Sequence, residues 1–245
     1  RSSSPCSPFG SGRWRPSTRS RPRKGCRSRG STKAISTAST GKRPVAGDPR
    51  RIVRAELLRL LILGAPDAPR VHETGVRLSA ALVRRSLALE GWRIPRDIGP
   101  VDCLFDGALT LTSPIIDTLF LDGSRLPAIN AGRLEACGDL LLRQTVVDGS
   151  VLLQGARIGG SLIASGAQIA RPGETALDAT NADLRGDFSL AGSAIRGRVT
   201  LAGSRLAADL DVTGATLESL DEVALSAEGA RIGGEVLLRH ATVSG

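Results

Sequence analysis

Tyrosine and methionine are absent from the 245 residues, and aromatics make up only 2% of them, as four Phe and two Trp. Thick globular cores lean on such large side chains, so this interior has to be assembled from Leu, Ile, Val and Ala in thin layers. Histidine occurs twice, at His72 and His240. Neither has a Ser or Cys nucleophile motif beside it, which leaves hydrolytic chemistry without a base. Four cysteines, Cys6, Cys26, Cys103 and Cys137, contain no Cys-x-x-Cys pair. Zinc spacing is therefore missing, no disulfide framework is expected, and Cys137 reads as a packing residue. No Gly-x-Gly-x-x-Gly opens a helix after a strand, so no nicotinamide or flavin cofactor is expected. Gly41-Lys42 lacks the upstream glycine of a phosphate loop, and Ser39-x-x-Lys42 matches a catalytic pattern by letters alone. Long apolar runs are missing too: Leu60–Leu63 is short and Arg59 interrupts anything longer, so no transmembrane segment is expected. The residues after Arg1 do not read as a signal peptide. The expected location is the cytoplasm, with peripheral contact at a membrane as the variant.

Acidic residues are absent from 1–47, which hold 12 Lys and Arg, whereas 48–245 hold 21 basic and 24 acidic residues. The whole excess of +9 thus comes from the first segment. So polar a stretch buries too little apolar surface to offset its ordering entropy, and a disordered tail is expected. Arg13–Arg15 and Arg19–Arg29, with Trp14 nearby, suit nonspecific, salt-sensitive contact with phosphates of nucleic acid or anionic lipid. A solvated linker is the plainer reading.

What is present is a ladder. Aliphatic residues following a small residue by two places fall at Ile158, Ile169, Leu184, Ile195, Leu206, Leu217, Ile232 and Val243, with gaps of 11, 15, 11, 11, 11, 15 and 11. A second set at Leu162, Leu177, Phe188, Val199, Leu210, Leu225 and Val236 skips at the same places. Gly-Ala-Arg-Ile-Gly-Gly occurs at 155–160 and again at 229–234, a separation of 74. Fixed self-similarity of this kind signals a repeat architecture. Each unit contains apolar-x-apolar, the period of an extended strand, and glycine recurs too often for helices. The expected fold is all-β, a parallel and right-handed β-solenoid of about 22 residues per rung, with rungs ~4.8 Å apart. A β-sandwich, whose strand spacing varies, fits the regular ladder less well. The four extra residues near Arg171–Glu174 and Ser219–Glu222 should bulge as loops.

The Ala-x-(Ile/Leu)-x-x units resemble a degenerate pentapeptide repeat, and the chain is similar over about 50–245 to pentapeptide-repeat-like β-helix proteins of bacteria. It resembles more closely a group of uncharacterised bacterial repeat proteins, in which a segment like Arg54–Leu63 precedes Gly-Ala-Arg-Ile-Gly-Gly units. Some of these carry the label membrane-associated oxidoreductase. The resemblance implies a square cross-section, and the label implies redox activity for which no residue was found above.

Three regions follow: a basic tail at 1–47, a capping helix and connection at 48–75, and the solenoid at 76–245. Asp48-Pro49 offers a helix start, Arg50–Leu63 carries a wide apolar stripe, and Gly64 supplies a stop. Such a helix closes the open end of a solenoid, or lies on an anionic membrane surface. Upstream of Gly155 the anchors read Val83, Ile94, Ile115, Leu126, Ala136 and Val147. Between Pro100 and Thr112 no single register holds, and an irregular rung is expected. Roughly seven coils result. The first residue is Arg rather than Met and the last unit stops at Gly245. A fragment of a longer array is expected, or an open end that docks on another copy.

Register also defines faces. Asp187, Asp209 and Glu235 fall on one outward column with Asp211 beside them, and Arg157, Asp183, Arg205 and Arg231 precede the anchors as candidate counterions. The plain reading is a self-compensating charged face; the sharper one is a weak cation site, since hard cations favour several carboxylate oxygens. On the opposite side Val146, Gln168, Ala194, Thr216 and Thr242 form a nearly uncharged stripe suited to a protein partner or to self-association. The expected function is a non-enzymatic structural or protein-interaction scaffold. The alternatives are the oxidoreductase of the family label, and nucleic-acid engagement through the tail or through an acidic surface that mimics DNA.

Overall fold

A computed structural model describes residues 51–64, 75–220 and 223–245. The tail at 1–47 and the Asp48-Pro49 helix start lie outside them. Within them the chain winds as a parallel β-solenoid. Each coil contributes four short strands, most of two residues, separated by corners. Taken in chain order these strands stack into four faces. The first face is anchored by Val83, Phe105, Leu126, Val147, Ile169, Ile195, Leu217 and Val243. The second runs Leu87, Leu109, Ile129, Val151, Leu177, Val199 and Leu225. The third runs Ile94, Ile116, Ala136, Ile158, Leu184, Leu206 and Ile232. The fourth has eight stacked strands, so the solenoid has eight coils rather than roughly seven.

Corners explain the 11-residue half-unit. Three places before every first-face anchor lies a residue with positive φ: Ala80, Asp102, Gly123, Gln144, Gly166, Gly192, Gly214 and His240. The same holds before every third-face anchor, at Gly91, Ser113, Arg133, Gly155, Asn181, Gly203 and Gly229. From Gly123 onward each closes a hydrogen-bonded four-residue turn, as where Ala156 donates its N–H to the Leu153 carbonyl at 2.9 Å. Positive φ at the third position is what such a turn requires, and glycine adopts it without steric cost. The next residue points inward beneath the corner and has to be small: Ala81, Cys103, Ser124, Thr145, Ala167, Ser193 and Ala215 are all buried there. Ser124 and Thr145 bring a hydroxyl into that core, and each donates it to a backbone carbonyl, Pro100 and Leu121 respectively, both at 2.9 Å.

The ladder departs from the sequence reading in two places. The third-face anchor is Ile116, fully buried, and not Ile115, which points outward. Both half-coils from Ile116 to Leu126 and from Leu126 to Ala136 are one residue short, and adjacent isoleucines conceal the slip. A one-residue slip exchanges inside for outside along a strand. The stretch from Pro100 to Thr112 is a regular coil, with Phe105 as anchor and Leu109 and Leu111 pointing in. Cys103 in the small-residue slot hid its register.

At the N-terminal end the expected helix Arg50–Leu63 divides. Ile52–Arg54 is a strand in parallel register with Leu82–Arg84 on the first face, and only Ala55–Leu63 is helical. β-Branched Ile52 and Val53 suit that edge pairing. The helix starts at Arg54 with no side-chain cap and ends at Gly64, whose N–H reaches the Leu60 carbonyl. Its buried Ala55, Leu58 and Ile62 join the core. Arg59 Nε donates to the Ala88 carbonyl at 3.0 Å on the second-face strand below, and Glu56 pairs with Arg85 at 2.9 Å. The helix therefore lies over the second-face strand Leu87–Ala88, where the second face of a further coil would stand.

The Arg171–Glu174 insertion bulges as expected without breaking the stack. It rides within the strand Gln168–Asp178, which slips register against Ala194–Thr200 and then recovers it at Leu177. Gly197 makes this possible, because a Cβ there would strike the carbonyls of Arg171 and Glu174. The second insertion, Ser219–Glu222, lies partly outside the described residues.

One prediction concerns the corners. A non-glycine residue in the left-handed region costs about 1–2 kcal/mol, partly offset by glycine's larger unfolded-state entropy. Arg133, with φ 54, stacks on Gly155, with φ 64. Arg133→Gly should raise stability by roughly 0.5–1 kcal/mol, and Gly155→Ala should lower it by a similar amount. Urea unfolding of both variants measures the pair.

Candidate functional site

The corner between the third and fourth faces holds the acidic column. Its occupants in successive coils are Asp139, Ser161, Asp187, Asp209 and Glu235. The three residues picked out as a cation column, Asp187, Asp209 and Glu235, do stack there. The carboxylates of Asp187 and Asp209, however, point along the stack at the next coil's backbone. Asp139 Oδ1 accepts the Ser161 N–H at 2.7 Å, Ser161 Oγ the Asp187 N–H at 3.0 Å, and Asp209 Oδ1 the Glu235 N–H at 2.8 Å. A corner amide has no strand partner, so the side chain supplies one. Glycine precedes the column residue because that oxygen occupies the space of a Cβ: Gly160 faces Asp139 Oδ1, Gly186 faces Ser161 Oγ and Gly234 faces Asp209 Oδ1. Where alanine stands instead, at Ala208, the bond from Asp209 N–H to Asp187 Oδ1 stretches to 3.3 Å. The last glycine of the repeated motif thus makes room for that oxygen at the corner. Among the described residues no group of three His, Cys, Asp or Glu side chains is placed to hold a metal ion. Asp211 sits on the fourth face and accepts the Thr213 N–H at 2.9 Å.

The arginines read as counterions belong to another column. Arg157, Asp183, Arg205 and Arg231 stack outward on the third face, where Arg157 pairs with Glu135 at 2.8 Å rather than with the acidic corner. Three residues separate the column from the corner, and in a coil of such short strands three residues turn the chain.

The uncharged stripe is in place on the first face. Val146, Gln168, Ala194, Thr216 and Thr242 are consecutive partners in one parallel register. Ion pairs border it, Arg125 with Asp148 through two contacts of 2.8 and 3.0 Å and Arg196 with Glu218 at 3.4 Å.

A more apolar surface escaped the sequence reading. On the fourth face Phe120, Leu141 and Ile163 point outward and stack in register. Leu141, between two apolar neighbours, is only 8% exposed although it points away from the core. Above them Gly99 leaves a gap through which Arg77 reaches, its guanidinium 4.5 Å from the Phe120 ring centre. The signal lay in the runs Leu119-Phe120-Leu121, Leu140-Leu141-Leu142 and Leu162-Ile163-Ala164, where the middle, outward residue is as apolar as its neighbours. Carboxylates edge this face: Asp97 pairs with Arg77 at 3.1 Å and Asp122 with Arg143 at 3.4 Å. Burial raises the pKa of both above the ordinary aspartate value, and the arginines only partly oppose it.

A shallow recess of about 560 Å³ lies where the Arg171–Glu174 bulge overhangs the second face. Leu152, Gln154, Asp178 and Arg198 line it, and Gln154 Nε2 donates to Asp178 at 2.7 Å. Arg171 and Glu174 pair with each other at 2.8 Å across the bulge. Cys103 is the one free cysteine among the described residues, and burial pushes its thiol up to about 11. Cys137 is disulfide-bonded, contrary to its reading as a simple packing residue. The phosphate-binding reading of the tail also falls outside them. Among the described residues no helix is long and apolar enough to cross a membrane, which does not bear on crossing by strands.

No family model, curated protein or solved structure matches this chain.

Two predictions follow from this geometry. Asp209→Asn keeps an acceptor for the Glu235 amide and should be nearly neutral, while Asp209→Ala orphans that amide and should cost about 1–3 kcal/mol in denaturant unfolding. A thiol with its pKa near 11 and no solvent access stays protonated and unreactive at neutral pH. Peptide mapping after iodoacetamide should find Cys103 unlabelled in the native chain and labelled after denaturation.

Proposed function

We propose that the chain is a non-enzymatic protein-interaction scaffold whose fourth face receives a partner. The outward ladder Phe120, Leu141 and Ile163 carries this reading. A solvated β-face needs no such residues, and contiguous outward apolar side chains bordered by charge mark a contact surface. The border carries both signs, with Asp97 paired to Arg77 and Asp122 to Arg143, so the matching segment is apolar at its centre with polar flanks. Rigid stacked coils hold the patch flat and pre-ordered, which lowers the entropic cost of association. Selection of displayed random peptides against the 245-residue chain tests it. Binders rich in apolar residues are expected, with affinity lowered roughly a hundredfold by Leu141→Asp and unchanged by Thr216→Asp on the first face. Binders indifferent to Leu141→Asp, or binders without apolar residues, would remove the basis for the assignment.

A further inference from the structure

The outward column of the fourth face changes character along its length. Ordered by coil it reads Phe120, Leu141, Ile163, Ser189 and Asp211, in one parallel register. Around the first three the charges pair off, Asp97 with Arg77 and Asp122 with Arg143. Around the last two they do not balance. Residues 186–192 and 208–214 hold Asp187, Asp209 and Asp211 and neither Lys nor Arg. Asp187 and Asp209 stand on the corner that borders the face, and each uses one carboxylate oxygen on a backbone N–H while keeping its charge. The surface is therefore apolar at one end and acidic at the other.

We propose that the partner of this face is an amphipathic α-helix lying along the solenoid axis, with its N-terminus and basic side chains over Asp187, Asp209 and Asp211. The inference rests on the fourth face being the contact surface, and adds the form, direction and charge of what it receives. Spacing decides the form. Neighbouring ladder residues lie one coil apart, ~4.8 Å, so Phe120 to Ile163 spans about 9.6 Å. Two helical turns rise about 10.8 Å, and an amphipathic helix presents an apolar row at that interval. An extended segment turns a side chain to the same side only every ~6.7 Å, so two intervals overshoot the ladder by about 4 Å. The strands of this face are short, and each coil offers one outward residue between its corners. A helix laid along a strand would therefore miss part of the ladder, whereas one laid along the axis meets all three apolar residues.

Charge decides the direction. The N-terminus is the positive end of a helix dipole and is stabilised by nearby carboxylates. From Phe120 to Asp211 is four coil steps, ~19 Å, or about 13 helical residues. A helix of that length sets an apolar half on Phe120, Leu141 and Ile163 and brings Lys or Arg beside Asp211. A second copy of this chain fits less well, although its ladder has the same spacing. Packed face to face in parallel it sets Asp211 against Asp211, and packed antiparallel about Leu141 it sets Asp139 against Asp139. Like charges opposed across an interface work against association.

Two displayed peptide libraries of about 16 residues, built from one set of amino acids, test it against the 245-residue chain. One spaces its apolar positions three and four apart, as a helix does, and the other alternates them, as a strand does. Binders are expected from the helical library, with Lys or Arg gathered in the N-terminal half and a gain of helical circular dichroism on binding. Leu141→Asp should lower their affinity roughly a hundredfold. Asp211→Asn keeps the acceptor for the Thr213 N–H and should lower it roughly two- to fivefold. Circular dichroism checks the fold of each variant, and Ile163→Asp, at a more exposed rung, replaces Leu141→Asp if that change unfolds the chain. Ladder-dependent binders from the alternating library alone overturn the helix and leave the fourth face as the contact surface. Basic residues gathered in the C-terminal half overturn the direction. The absence of any ladder-dependent binder removes both readings. A chain that sediments as a dimer, and as a monomer once the ladder is changed, replaces the helix with a second copy.

Discussion

Twice in every coil the backbone passes through a left-handed residue, and the rest of the solenoid depends on that constraint. Neighbouring coils stack only if their corners superpose, so residues three places before each anchor share a conformation from Ala80 to His240. Once the corner is set, the following residue in most coils turns inward beneath it and is small, Trp92 and Leu134 being the large exceptions, and the one two places on becomes the anchor. Glycine is the cheap occupant. Asp102 and Asn181 are tolerable because short polar side chains visit this region more readily than others. Arg133 and Gln144 have no such excuse and are held there by the coils on which they stack.

The interior compensates where the rule is broken. In the coil of Ala136 the large residue sits in the small slot, as Leu134, and the small residue in the anchor slot, and both are buried. Exchanging volume between adjacent slots keeps the layer filled, and fillings of equal volume are the tolerated ones. Polar atoms are less well placed. Ser124 and Thr145 find carbonyl partners, whereas the hydroxyls of Ser193 and Ser204 are buried with none. Alanine occupies the equivalent slots at Ala167, Ala215, Ala156 and Ala182, so these hydroxyls are unforced departures from a pattern that the fold otherwise prefers.

Period, rung length and parallel stacking were legible because an inward side chain every 11 residues is a property of composition along the chain. The slip at Ile115 and Ile116 was not, since two adjacent isoleucines satisfy the same pattern in either register and only the shortened corner tells them apart. The helix start was misplaced because Ile52 and Val53 suit an apolar helical stripe as well as a strand, and their pairing with Leu82 and Val83 is a contact across a long connection. The acidic column was visible as a column. Its role was not, because a carboxylate that caps a neighbouring coil's amide and one that awaits a cation look alike in sequence. The fourth-face ladder was readable in principle, and attention to the inward positions of Leu119, Leu140 and Leu162 passed over the residues between them.

The helix at one end also gives the stack a direction of assembly. A lone coil cannot bury its own interior, since it shares that interior with the layer beneath. Ala55, Leu58 and Ile62 supply a ready floor, so the coil of Leu87 and Ile94 has something to settle on before any later coil has been synthesised. Each completed layer then becomes the floor of the next. Such a chain can crystallise, so to speak, in the order in which a ribosome releases it, with a seed built into its leading edge.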